Sequence, residues 1–182
     1  MSKTHEQIND KLSAWIRQQK VFFMATAPLA GDGHVNCSPK GGDSFRALDP
    51  QTVAYLDLTG SGAETIAHLR ENGRIVIMFC AFEGPTMIVR LHGHGEVVTP
   101  DHPDFKSLTA QFPKNPGTRA VIRVKVTRVS DSCGYAVPFF DYRDQRDSLE
   151  KWAQDKGAVG LKEYRRTKNA QSIDGLPALD HD

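Results

Sequence analysis

The sequence predicts a mainly β protein, in which about six antiparallel strands roll into a small barrel with helices at the N- and C-terminal ends. Three observations lead there. Apolar, β-branched runs of strand length recur between residues 21 and 129. Most of the links between them are hairpin-sized, too short for the crossovers a parallel sheet needs. Finally, one long run, residues 86–98, carries Gly93 and Gly95 near its middle, as strands do where a barrel turns a corner. Closing such a sheet removes exposed edges.

The elements follow in order. Residues 4–19 place Ile8, Leu12, Trp15 and Ile16 on one face at helical spacing, which predicts an amphipathic helix. Residues 21–27 switch to a strand stopped by Pro28, and Gly31-Asp32-Gly33 turns the chain into a second strand at 34–38. Pro39-Lys40-Gly41-Gly42-Asp43 and Asp49-Pro50 read as breaks. A strand at 52–58 leads through Thr59-Gly60-Ser61-Gly62 to a helix at 63–70, ended by Asn72-Gly73. The nearly continuous apolar run 74–82 predicts a strand covered on both faces. After the glycine-bearing strand come a short helix at 103–111 and a cleanly alternating strand at 118–129. Residues 144–156 and 161–168 are charge-rich helical candidates, and 172–182 reads as an exposed tail.

Composition sets limits on function. The 182 residues are 39% hydrophobic and 25% charged, as expected of a folded globular chain. The net charge of +1 excludes the strongly basic surface on which nucleic-acid and anionic-membrane binders rely, so neither partner is expected. No run reaches the ~18 apolar residues of a membrane helix. The polar first ten residues lack the apolar core of an export signal, so a cytoplasmic location is expected. Cys37, Cys80 and Cys133 are widely spaced and form no CxxC pair; Cys37 and Cys80 read as small core residues.

Five segments carry candidate chemistry. In the loop from Thr59 to Thr65, glycines permit close backbone approach, and Thr59, Ser61 and Thr65 offer hydroxyls at a helix N-terminus, a phosphate cradle in outline. The same letters also spell an ordinary capping box, Ser61 as N-cap with Glu64 three residues on. Ser38-Pro39-Lys40-Gly41 presents a lysine point charge beside glycines, fit for an anion or for solvent. Arg90 stands among apolar neighbours, where it either faces outward or meets an anionic or π partner. His92 and His94, two apart on a strand, share a face but have no third ligand fixed by spacing, so no metal site is expected. Tyr135, Phe139, Phe140 and Tyr142 either cover a planar ligand or pack a loop or interface. No G-x-S-x-G elbow is present, and no motif fixes a catalytic acid or base.

Between residues 21 and 129 the order and spacing of Ser38-Pro39-Lys40-Gly41, the 59–69 segment, Glu71-Asn72-Gly73-Arg74-Ile75-Val76-Ile77-Met78-Phe79 and Val89-Arg90-Leu91-His92-Gly93 resemble the pyridoxamine 5′-phosphate oxidase-like FMN-binding split barrels. The resemblance implies a split-barrel FMN domain at 21–130, with an N-terminal helix (1–20) packed on it and a C-terminal helical extension (131–182). It implies a homodimer with FMN sites between subunits and a flavin-dependent oxidoreductase acting on an unidentified small molecule. Alternatives within the same fold are a flavin-binding or storage protein without catalysis, and a barrel using haem or a deazaflavin coenzyme. Lys40 and Thr59 match positions that hold FMN, and Arg90 matches the arginine of a Val-Arg-Ile element.

The sequence departs from the vitamin B6 oxidases of that family. Ala63-Glu64-Thr65 stands where they carry a Ser-Arg-Lys phosphate grip, Val35 replaces a second phosphate arginine and Ile88 a glutamine, and residues 176–182 lack their closing arginine motif. The resemblance is therefore to the general, oxidase-related branch. Phosphate recognition is expected from Ser61, Thr65, Lys40 and backbone amides, with Ser38, Pro39 and Gly41 shaping the site.

Overall fold

A computed structural model describes residues 2–179. Its strands are β1 (Lys3–His5), β2 (Val21–Thr26), β3 (Asn36–Gly41), β4 (Phe45–Asp49), β5 (Thr52–Leu58), β6 (Arg74–Cys80), β7 (Ile88–Val98) and β8 (Thr118–Ser132). Its helices are α1 (Asp10–Gln18), α2 (Glu64–Asn72), α3 (Phe105–Thr109) and α4 (Ser148–Lys168). One antiparallel sheet runs β3-β2-β6-β7-β8-β5-β4, with β1 added on β8. It curls into the split barrel expected from the sequence, with two more strands than the six foreseen.

Both extra strands owe their existence to partners distant or tightly turned. The polar β1 lies where the first helix was expected to begin; it pairs Lys3–His5 with Val129–Asp131 of β8, and α1 starts later, capped by the Asn9 side chain on the Leu12 amide at 3.0 Å. The β4 segment, short and flanked by turn residues, hairpins onto β5 with a bulge between Ala47 and Asp49. β3 also reaches further than its sequence suggested, taking in Pro39, Lys40 and Gly41. As an edge strand it tolerates a proline that donates no hydrogen bond.

The interior is filled by side chains. Phe22, Phe45, Tyr55 and Phe79 form a ring cluster, with centroids 5.0–5.6 Å apart in mostly edge-on contacts. Ile8, Leu12 and Ile16 of the α1 segment join the same core. At the end of α2, Gly73 adopts φ 71° and its amide closes on Leu69 O at 3.0 Å, the left-handed cap that Asn72-Gly73 suggested. A bulge between His92 and Gly93 bends β7 along β8.

Three local expectations are corrected and one holds. Ser61 does not cap α2: the cap position falls on Ala63, with no side-chain hydrogen bond, because the helix begins only at Glu64. Cys37 is exposed, since β3 alternation turns it away from Asn36 and Ser38. The two C-terminal helical candidates do form, as two helical stretches within α4 that meet at the non-helical Gly157 (φ 63°, ψ 174°). The tail is not wholly exposed: Ser172 and Ala178 are buried, and Ala178 packs on Ala63, Ile66 and Ala67. Residues 180–182 of that expectation lie outside the described residues.

Candidate functional site

Among the described residues, two cavities hold most of the candidate groups. The first, about 580 Å³, lies between β3, the 60–65 loop and the segment 145–150, and it gathers most of the residues singled out by sequence: Ser38, Pro39, Lys40, Gly41, Ser61 and Thr65 all line it. Strand alternation explains half of this. Asn36, Ser38 and Lys40 are partly buried, while the residues between them face out. Leu56, Leu58, Pro113 and Leu149 supply apolar wall.

Beneath the wall is a cluster of buried charge. Asp57 on β5 is 1% exposed and Arg119 on β8 is 4% exposed. Arg119 Nε donates to Asp57 Oδ2 at 2.6 Å and Nη2 donates to Gly62 O at 2.8 Å, while Nη1, also buried, has no partner. Lys40 Nζ lies 3.5 Å from Asp57 Oδ1. Burial pushes the Asp57 carboxyl up, but Arg119 and then Lys40 outweigh it and hold the group below the ordinary carboxylate value.

A second network reaches the cavity from the barrel side. Ser38 Oγ donates to Asn36 Oδ1 at 3.0 Å, and Asn36 Nδ2 donates to Thr65 Oγ1 at 3.1 Å and to Thr26 Oγ1 at 3.3 Å. Thr26 Oγ1 in turn lies 2.9 Å from Nδ1 of the buried His68, whose burial lowers its pKa and favours the neutral ring. Thr65 gives its own proton to the thioether of Met24 at 3.3 Å, a weak acceptor that a ligand oxygen would outcompete.

Thr59 and Arg90 are placed elsewhere. Thr59 is fully buried behind the loop; its hydroxyl donates to Gly117 O at 2.9 Å and accepts from Arg165 Nε at 2.8 Å. Arg165 and Asn169, the latter donating to Gly60 O at 2.9 Å, are how α4 holds the 59–62 turn in place. Arg90 sits on the outer face of β7, bonded through Nη1 to Ser132 Oγ at 3.1 Å, and lines neither cavity. The charged pair Asp57–Arg119 was missed by sequence reading. Its signal was present: a carboxylate inside the apolar run 52–58 requires a buried cation.

The second cavity, about 790 Å³, is more apolar and is lined by Trp15, Phe82, Pro85, Met87, Phe140 and Tyr142 among others. Of the expected aromatic group, Phe140 packs on Phe82 at 5.2 Å between centroids and Tyr142 lies under Lys20, while Tyr135 and Phe139 are exposed. Among the described residues no three His, Cys, Asp or Glu side chains gather as a metal site. No helix among them is long and apolar enough to cross a membrane.

The family model described as pyridoxamine 5′-phosphate oxidase matches residues 8–133. An Aspergillus flavus protein described as pyridoxamine 5′-phosphate oxidase family protein ustO is 39% identical over 192 residues, covering 96% of this chain and 77% of that protein. Among solved structures, HupZ of Group A Streptococcus superposes with a TM-score of 0.52 at 25% identity, over 67% of this chain and 91% of that one. A FAD-binding protein of Mesorhizobium loti shares the fold with a TM-score of 0.50 at 16% identity, over 72% of this chain and 96% of that one. With a barrel of matching order and a family match across most of its length, the chain belongs to the pyridoxamine 5′-phosphate oxidase family.

Proposed function

We propose that the first cavity binds FMN and that the protein is a flavin-dependent oxidoreductase acting on a small molecule. The observation that carries this reading is the convergence, in one cavity of about 580 Å³, of the Ser38–Gly41 strand and the 60–65 loop over an unsatisfied buried guanidinium nitrogen. The donor set fits a phosphorylated, polar-edged planar ligand: cations that include Lys40 and Arg119, two hydroxyls already oriented by Asn36, and apolar wall from Leu56, Leu58 and Leu149. When bound, the flavin supplies the redox chemistry. Lys40 then serves as a point charge toward the ring or its side chain, Ser38 and Thr65 orient it by hydrogen bonds, and Pro39 and Gly41 shape the approach. Thr59 acts from behind, by fixing the turn.

The working unit in this reading is a homodimer. Tyr135 and Phe139 are 82% and 74% exposed, apolar surface of the kind a second copy covers. Arg90, on an outer face, reaches a flavin only across such an interface. Sedimentation equilibrium is expected to give twice the 20.2 kDa chain mass; a monomer at micromolar concentration would remove the interface from the account.

Adding FMN to the purified protein is expected to quench flavin fluorescence saturably and to shift its visible double band. Lys40→Ala should weaken binding about 10-fold, since it removes one charge-assisted contact. Reduction of the bound flavin by NAD(P)H distinguishes an enzyme from a carrier. A protein that takes up no flavin contradicts the reading.

A further inference from the structure

The geometry points to Arg119 as the phosphate anchor of this cavity, supplying from strand β8 the cation that the helix start lacks, and thereby selecting phosphomonoester flavins over the unphosphorylated nucleoside. This inference rests on the flavin reading above and goes beyond it in assigning the selectivity to one residue.

Three observations converge. The start of α2 has no cation: Ala63, Glu64 and Thr65 occupy it, and Glu64 accepts from the Ile173 amide at 3.3 Å through Oε1 while Oε2 lies beside Gly62 on the cavity wall. No side chain caps that helix, so its first amides still need acceptors. Arg119 reaches the same place from the sheet. It lines the cavity, its Nη2 is tied to Gly62 O next to the uncapped amides, and its Nη1 is buried with no acceptor. An unsatisfied guanidinium N–H in a buried site costs free energy until an anionic oxygen is supplied.

Asp57 is a positioning residue in this arrangement. Its 2.6 Å bond to Nε fixes the plane of the fork, leaving the Nη edge toward the Gly62 turn. It also neutralises Arg119 in the empty state, so that Lys40 provides the net positive charge at the cavity floor. Nη1 is covered in this structure, so a side chain of the cavity wall has to shift for a phosphate oxygen to reach it. With Nε held by Asp57 and Nη2 by Gly62 O, Nη1 is the nitrogen left to make a charge-assisted hydrogen bond to a phosphate oxygen.

The test compares FMN with riboflavin, which lacks only the phosphate, by fluorescence titration of the full chain. The wild type is expected to bind FMN about 10- to 100-fold more tightly, the worth of one hydrogen bond to a charged group. Arg119→Gln should collapse that ratio toward 1 by weakening FMN, while Arg119→Lys recovers part of it. Because Arg119→Gln strands a buried carboxylate, Asp57→Asn/Arg119→Gln is measured beside it; that amide pair buries no charge and is expected to melt cooperatively with the ratio still collapsed. Equal wild-type affinity for the two flavins, or a ratio unchanged in a folded Arg119 variant, overturns the assignment and leaves the flavin reading standing. Binding of neither flavin overturns that reading, and the assignment with it.

Discussion

Asp57→Ala is expected to destabilise the protein by about 3–5 kcal/mol, the usual cost of removing one partner from a buried ion pair. Arg119 would keep its bond to Gly62 O but lose the carboxylate that Nε holds, at a site 4% exposed. For a chain of this size that corresponds to a fall in melting temperature of about 10 °C or more. Replacing both members by apolar groups, Asp57→Leu/Arg119→Met, should recover most of the loss, because neither charge is then left uncompensated. Lys40 is a quarter exposed and can turn to solvent in either variant. The pH dependence has a definite sign. Asp57 is held below its ordinary 3.8, so its contribution is complete above that value and is lost as pH falls through the lower folded-state pKa. The gap in stability between wild type and Asp57→Ala should therefore narrow in strong acid. A cost below about 1 kcal/mol by urea denaturation at pH 7 would mean that the guanidinium is in effect solvated.

Gly93→Ala is the second large effect, about 3 kcal/mol, and it arises from space rather than from backbone freedom. A Cβ at Gly93 would stand 2.2 Å from Lys125 O and 3.0 Å from both Lys125 C and Val124 Cγ1. The first two are main-chain atoms of β8 and cannot rotate away, so the β7–β8 ladder has to open at its bulge. Gly95→Ala is the control. Its Cβ would meet the Leu69 methyls at 2.8 and 2.9 Å, the ends of a flexible side chain that can shift, and a loss of about 1 kcal/mol is expected. Similar melting temperatures for the two variants would show that the bulge yields more readily than the strand geometry implies.

What was legible in the sequence was local. β2, β5, β6, β7 and β8 follow from alternation or unbroken apolar runs, and α2 with its Gly73 stop follows from periodicity and a residue tolerant of positive φ. Two features missed, β1 and the length of β3, depend on the rest of the sheet. β1 is three polar residues that form a strand only because β8 offers an edge more than 120 positions away. β3 continues through Pro39 because it lies at the edge of the sheet, a fact of topology that no window of residues contains.

The site was divided in the same way. Ser38, Lys40, Ser61 and Thr65 carried recognisable chemistry, and one cavity collects them. Arg119 looked like one more charged residue at the start of an alternating strand. Its significance lies in facing Asp57, 62 positions earlier, and in ending beside Gly62. Thr59 shows the converse case: its place in the motif was legible, but its hydroxyl is committed to Gly117 O and Arg165, and so it supports the turn rather than the cavity.

The most direct measurement is a crystal structure of the protein grown with FMN. The account predicts flavin density in the cavity between β3 and the 60–65 loop, with a phosphate oxygen within hydrogen-bond distance of Arg119 Nη1. Flavin seated instead in the aromatic cavity around Trp15, Phe82 and Phe140, or a first cavity holding only solvent at saturating FMN, would contradict it.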